Sequence, residues 1–311
     1  MYQIAKKDIS VKTIAKFLNA KYEGKDFKIS KVSSLNEIKN NSLLFYSDIA
    51  NFQFRIKDIA KYNLKKLEKY ENILLITTED IKKKINVPII SSKNPRLDFQ
   101  RVIMKFFIKN EFKSEIHKTA IIENNTKIGK NVHIGSNCYI GNDVEIGDNT
   151  RIFNNTCIFG KAKIGRNTTI LSNASIGTEG YGFSFSDDES FHFPHVGSTI
   201  IGDNVWIGSN SNIEKSQIDE TIIEDNVKID ALVQIGHNSI IKKSAQLTAG
   251  TIICGRAKIG RNCWIAPNSV VDAACEIGDN SFVGTLSLVK RNFPKNSVIV
   301  GSPAKLLRKN V

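Results

Sequence analysis

The chain has 311 residues, 41% hydrophobic and 24% charged, with a formal charge of +13 from 44 Lys and Arg against 31 Asp and Glu. These values fit a globular protein with room for one large or two medium domains. No apolar run approaches the roughly 18 to 20 residues that span a bilayer, and the start MYQIAKKDISVKTIAKF lacks the apolar core of a signal peptide, so no transmembrane segment and a cytoplasmic location are expected.

The lysines are spread along the chain without a long basic arm, and no zinc-finger, helix-turn-helix or RNA-recognition signature appears, so nucleic acid is not an expected partner. The five cysteines (Cys138, Cys157, Cys254, Cys263, Cys275) lack C-x-x-C spacing and read as reduced, packed thiols. No Cys/His ligand spacing predicts a metal.

In chain order, VKTIAKFLNA (11–20) reads as a short amphipathic helix. NSLLFYS (41–47) and ENILLITT (71–78) read as strands, and the charged stretch IKDIAKYNLKKLEKY (56–70) between them reads as a helix. That alternation predicts a small α/β domain over 1–94. Asn94 is an N-cap candidate with Pro95 in the first helical turn, and Leu97, Phe99, Val102, Ile103, Phe106 and Phe107 suit one packed face, giving a linker helix over 95–113.

From Ile128 an isoleucine recurs every sixth residue through Ile134, Ile140, Ile146, Ile152, Ile158, Ile164 and Ile170 to Ile176. The same spacing runs from Ile223 to Val289, with Ile201, Ile207 and Ile213 between. A period of six fits neither a helix nor a two-faced strand. It fits a coil with three short sides, each pointing one apolar residue inward, with Gly-Asn or Asp-Asn pairs turning the corners. The expected fold is mainly β: a parallel β-helix over 114–293, followed by a tail over 294–311.

The repeat is broken twice. The phase is lost after Ile176 through GTEGYGFSFSDDESFHFPHVGST and returns at Ile201, which predicts a functional loop over 177–200. A shorter break falls between Ile213 and Ile223.

SLNEIKNNSLLFYS, the linker SKNPRLDFQ, GYGF in the long loop and TIIEDNVKIDALVQIGHN together resemble the UDP-3-O-acylglucosamine N-acyltransferase family of lipid A biosynthesis. The resemblance implies a left-handed prism, against the usual right-handed crossover rule. It also implies a homotrimer with active sites between neighbouring prisms. The implied substrates are a UDP-linked amino sugar and an acyl carrier protein thioester or acyl-CoA as donor, with no permanently bound cofactor.

Moving an acyl group from a thioester to an amine requires removal of a proton, a stabilised oxyanion and aligned substrates. Histidine suits the first, with an unperturbed pKa of about 6.5. Of the five histidines, His237 stands two residues after inward Ile235, on an outer edge. Counting one coil of about 18 residues back at the same phase gives Asp219, and one coil forward gives Gly255. That column suggests a carboxylate orienting the imidazole and a backbone N–H serving as oxyanion donor. In the resembled family the matching histidine is the base and the matching glycine the donor.

His192 and His195, in FHFPHVG, are candidates for contact with the sugar or its phosphates, or are loop histidines in solvent. His133 and His117 read as structural or solvated. Asp230, Gln234 and Asn238, in the family-like IDALVQIGHN segment, are expected to bind substrate. Phe45 and Tyr46 stand where the family stacks aromatics on uracil, or are core aromatics. Leu288 falls where the family gauges acyl length.

The chain also departs from the family. Ala274 replaces a second active-site histidine, Glu214-Lys215 replaces Asp-Arg, and Asp48 and Asn51, with Phe52 adjacent, replace the Asn and Tyr after the aromatic pair. The helical C-terminal extension is largely missing, and VGSPAKLLRK instead resembles the tail of coenzyme A-dependent acetyltransferases. An acetyl-CoA-dependent N-acetyltransferase of a nucleotide amino sugar, and a non-catalytic binding scaffold, therefore stand as alternatives.

Overall fold

The computed structural model describes residues 3–4, 8–47, 64–109 and 114–310. The chain divides into two compact units, Met1–Phe112 and Lys113–Val311.

The first unit is built on a four-stranded parallel sheet in the order Lys31–Val32, Ser42–Phe45, Ile73–Thr77, Ile89–Ser91. The central ILLIT strand is buried at every residue, as a parallel sheet covered on both faces requires. The helix expected near the start runs Val11–Phe17, with the Ser10 hydroxyl accepting from the Thr13 N–H. Of the charged stretch 56–70, a 3-10 helix covers Leu64–Lys69, and residues 56–63 lie outside the described set.

Asn94 caps the next helix by accepting from the Leu97 N–H, with Pro95 in its first turn. This helix stops at Val102, passes through a π-helical turn over Ile103–Phe107, and leads into a strand, Ile108–Lys109, that pairs with Gln3–Ile4. Phe99, Val102 and Phe107 are buried in the first unit's core, whereas Leu97, expected on the packed face, is 48% exposed. Leu97 lies in the first turn, with its backbone N–H engaged by the cap.

The second unit is a left-handed parallel β-helix. Among its described residues the three sides carry eight, ten and nine strands, most only two residues long. Each pair contributes one outward side chain and one inward apolar residue. Ile134, Ile140, Ile152, Ile158, Ile170, Ile176, Ile235 and Ile253 all have zero solvent exposure. Side-chain caps link successive coils 18 residues apart, as where the Lys130 N–H donates to Asp148 Oδ1 at 2.7 Å. The corners are turned by left-handed residues, mostly asparagine, such as Asn131 at φ 55° and Asn149 at φ 59°.

Two coils are longer. The equivalent cap from the Arg166 N–H to Asp203 spans 37 residues, because the 177–200 loop lies between, and the next, from the Asp203 N–H to Asp225, spans 22. The long loop is not irregular throughout: Phe183–Phe185 and Ser190–His192 form an antiparallel hairpin. Its short F-S-F and S-F-H alternation is the sequence trace of that pairing. The C-terminal tail is also a strand pair, Ser297–Gly301 against Ala304–Lys309, which closes the second side.

Candidate active site

The strand Gln234–Ile235 ends at the corner that carries His237. Inward Ile235 fixes the phase, so the imidazole emerges on the outside, half-buried. Its Nδ1 lies 2.9 Å from Asn238 Oδ1. That oxygen also accepts from the Gln217 N–H, which identifies it as an acceptor and places the imidazole proton on Nδ1. Nε2 is left with its lone pair, the form a general base needs.

One coil on, Gln234 pairs with Ile252 and Ile235 with Ile253, so Gly255 is in register with His237. A Cβ on Gly255 would stand 2.8 Å from His237 Nε2, so any larger residue would force the ring to shift from this position. Among the described residues no hydrogen-bond acceptor takes the Gly255 N–H.

The carboxylate expected from Asp219 is not in this column. Asn212 pairs with Gln234 and Ile213 with Ile235, a step of 22, so Lys215 is the residue in register below His237. The four-residue break shifts the count, and Asp219 instead uses its carbonyl to accept from the Ser198 N–H. The neutral Asn238 amide occupies the position facing Nδ1.

The inserted loop folds back onto this corner. Glu179 accepts from Lys215 Nζ at 2.6 Å and from the His195 N–H at 3.0 Å. Desolvation pushes the Glu179 carboxyl up, but these two partners outweigh it and hold it below the usual carboxylate range. His195 is only 2% exposed, with its ring centroid 5.3 Å from that of His237. His195 Nδ1 donates to the Phe193 carbonyl at 2.9 Å, so Nε2 is an acceptor, buried and unpaired among the described residues. Burial pulls its pKa down and keeps the ring neutral. In this arrangement the His195 side chain is buried beside His237.

His192 stays exposed, with Nε2 2.9 Å from the Gly180 carbonyl. Glu179, His192 and His195 bring possible ligand atoms within 4.8 Å of one another. However, the two imidazoles stack with planes 22° apart, and a ring nitrogen of each already faces a carbonyl. Nearly parallel rings direct their lone pairs along separate planes, a poor convergence for one ion.

Gln234 donates from Nε2 to Glu214 Oε1 at 2.8 Å and accepts from Asn212. Asp230 does not reach this corner: it caps its own turn at the preceding one, accepting from the Ala231 N–H. Leu288 points outward on the third side, in register with Val270 and Ile252, so an apolar column rises from Gln234. Ala274 is the next left-handed corner after Arg256 in the His237 stack, and its N–H donates to the Gly255 carbonyl. His133 faces outward on the second side, and His117 Nδ1 bonds Thr119.

In the first unit Phe45 packs against Phe99 at 4.7 Å, and Tyr46 packs on the other core cluster. Asp48, Asn51 and Phe52 lie outside the described residues. Sequence reasoning gave no site role to Glu214, Glu179, Lys215 or Gly180. The only signals were the Glu-Lys pair standing in for Asp-Arg and the placement of Glu179 and Gly180 in the aperiodic loop.

The family description "Bacterial transferase hexapeptide (six repeats)" matches residues 119–154 and 256–291, and "Hexapeptide repeat of succinyl-transferase" matches 198–236. A UDP-3-O-acylglucosamine N-acyltransferase of Francisella tularensis is 41% identical over 55% of this chain and 54% of its own length. One from Delftia acidovorans is 31% identical over 42% of this chain and 39% of its own. The chain thus spans about half the length, or less, of these curated relatives. Among solved structures, the UDP-N-acetylglucosamine acyltransferase of Francisella novicida superposes with TM-score 0.58 at 27% identity, over 63% of this chain and 71% of that one. The UDP-N-acetylglucosamine O-acyltransferase of Moraxella catarrhalis gives 0.57 at 27% identity, over 63% and 74%.

Proposed function

Because the chain carries bacterial-transferase hexapeptide repeats and is similar to UDP-3-O-acylglucosamine N-acyltransferases, we propose that it moves an acyl group from a thioester to the amine of a nucleotide-linked amino sugar. The single observation that carries this reading is the His237 imidazole lying against the Gly255 backbone one coil away. His237 Nε2 takes the amine proton as nitrogen attacks the thioester carbonyl. The Gly255 N–H donates to the resulting oxyanion. Asn238 holds the tautomer through Nδ1.

The UDP-3-O-acylglucosamine reaction of the relatives is the leading assignment, with acyl carrier protein or CoA as the carrier and no resident cofactor. Leu288 and the apolar column below it suit an acyl chain, whereas Phe45 and Tyr46, packed on two different core clusters, suit the core reading. A homotrimer in the cytoplasm, where nucleotide sugars and thioesters are available, completes the proposal. No helix among the described residues is long and apolar enough to cross a membrane.

The test is to incubate the full chain with UDP-linked and other nucleotide-linked amino sugars, offering 3-hydroxyacyl carrier protein or acetyl-CoA, and to follow thiol release. Turnover with the 3-hydroxyacyl carrier protein supports the lipid A assignment. Turnover with acetyl-CoA alone replaces it by an N-acetyltransferase. No release with any pairing leaves a binding scaffold.

A further inference from the structure

A base that accepts a proton becomes a cation, and in a half-buried site that charge needs a partner. Among the described residues nothing anionic faces His237 Nδ1; Asn238 is there, and Asp219 is carried away by the lengthened coil. The carboxylate that reaches His237 belongs to Glu214. Its Oε2 accepts from the backbone N–H of His237 at 3.0 Å, and its Oε1 accepts from Gln234 at 2.8 Å.

Gly180, in the inserted loop, locates the meeting point. The place where a Cβ on Gly180 would stand is 2.7 Å from Glu214 Oε2, 2.7 Å from His195 Nε2 and 3.1 Å from His237 Cδ2. A carboxylate oxygen and an unpaired imidazole lone pair therefore face the flank of the base across a single glycine. Both are negative ends of dipoles or charges, and a protonated ring gains from each.

We propose that Glu214 is the charge partner of His237, and that His195 is a positioning residue that closes the flank and keeps water from screening the pair. The inference rests on the acyl-transfer reading. In the chemical step, a proton passes from the substrate amine to His237 Nε2 as the new C–N bond forms. When the C–S bond breaks, the thiolate leaves and recovers that proton, so amine and thioester become amide and thiol. Glu214 does not itself take a proton; it stabilises the imidazolium between the two events.

The other charges facing His237 are already engaged. Lys215, from the coil below, pairs with Glu179 of the loop, and Arg256, from the coil above, donates to Gln217. His195 faces it from the loop, with His192 stacked on His195.

The experiment compares kcat and KM for wild type, Glu214→Gln, His195→Ala and the combination Glu214→Gln with Asn238→Asp, in the thiol-release assay, with thermal melts to verify folding. Glu214→Gln should lower kcat by about tenfold to a hundredfold and leave KM for the amino sugar within about twofold. Adding Asn238→Asp, which places a carboxylate on Nδ1, should recover most of that loss. His195→Ala should cost several-fold alone and add little on top of Glu214→Gln. A Glu214→Gln enzyme with full kcat, or one that Asn238→Asp does not rescue, overturns the charge-partner role. Additive costs for His195 and Glu214 overturn the positioning role. A wild-type protein that releases no thiol removes the acyl-transfer reading and this inference with it, whereas the variant outcomes bear on this inference alone.

Discussion

His237 rests its imidazole on the α-carbon of Gly255, so closely that a methyl group at 255 would stand 2.8 Å from Nε2 and 3.0 Å from Cε1. The contact follows from an 18-residue coil whose sides repeat in register, and it joins the proposed proton acceptor to the proposed oxyanion donor.

Gly255→Ala should therefore cost activity more than stability. The added methyl displaces the ring from the position where Nε2 meets the amine, and kcat should fall by about a hundredfold. Circular dichroism should keep the β signature. Full activity in this variant would refute the geometry.

His237→Ala should reduce thiol release by roughly 10² to 10⁴-fold, the usual range for a lost general base. The side chain lies outside the prism, so the melting midpoint should move little. Initial rates at saturating donor measure the effect.

Ile253→Ala removes a fully buried residue of the ladder. The cavity left between rigid coils should destabilise the fold by about 2 to 5 kcal/mol, read as a lower urea midpoint. Substituting outward Ile252, 41% exposed, should shift it far less.

Acidification should loosen the inserted loop. Burial depresses the pKa of His195, so the folded state binds this proton less readily than the unfolded loop does. The packing it contributes is fully present above about pH 6.5, the ordinary histidine value, and is lost as pH falls from there through the depressed folded value. Hydrogen exchange over 179–195, corrected for intrinsic rates, should be faster at pH 5.5 than at 7.5. Equal protection at both would show that His195 does not hold the loop.

The ladder of isoleucines could be read from the chain because burial recurs with a fixed spacing, and each inward residue needs only to be apolar. Gly255 was found by the same count. Asp219 failed because counting assumes an unbroken coil, and four extra residues before Ile223 put Lys215 in its place. Glu179 and His195 reach the Glu214 corner only when the loop folds back. Their contacts join segments that no local period connects, so no pattern in the sequence announces them. In the first unit, Leu97 has helical spacing but sits in the capped first turn, where spacing alone does not decide which face is covered.

The hairpin loop leaves the prism after Thr178 and rejoins at Ser198, and the flanking ladder continues from Ile164 to Ile201 with its pairing intact. The scaffold thus accepts an excursion at a corner while the ladder carries on, with a register shift at Ile176–Thr178 and a 22-residue coil beside it. Chemistry and support are separable in such a molecule: the insert can diverge in length and aromatic content while the ladder stays constant. A chain of this kind can exchange one loop while His237 and Gly255 stay in register on the ladder.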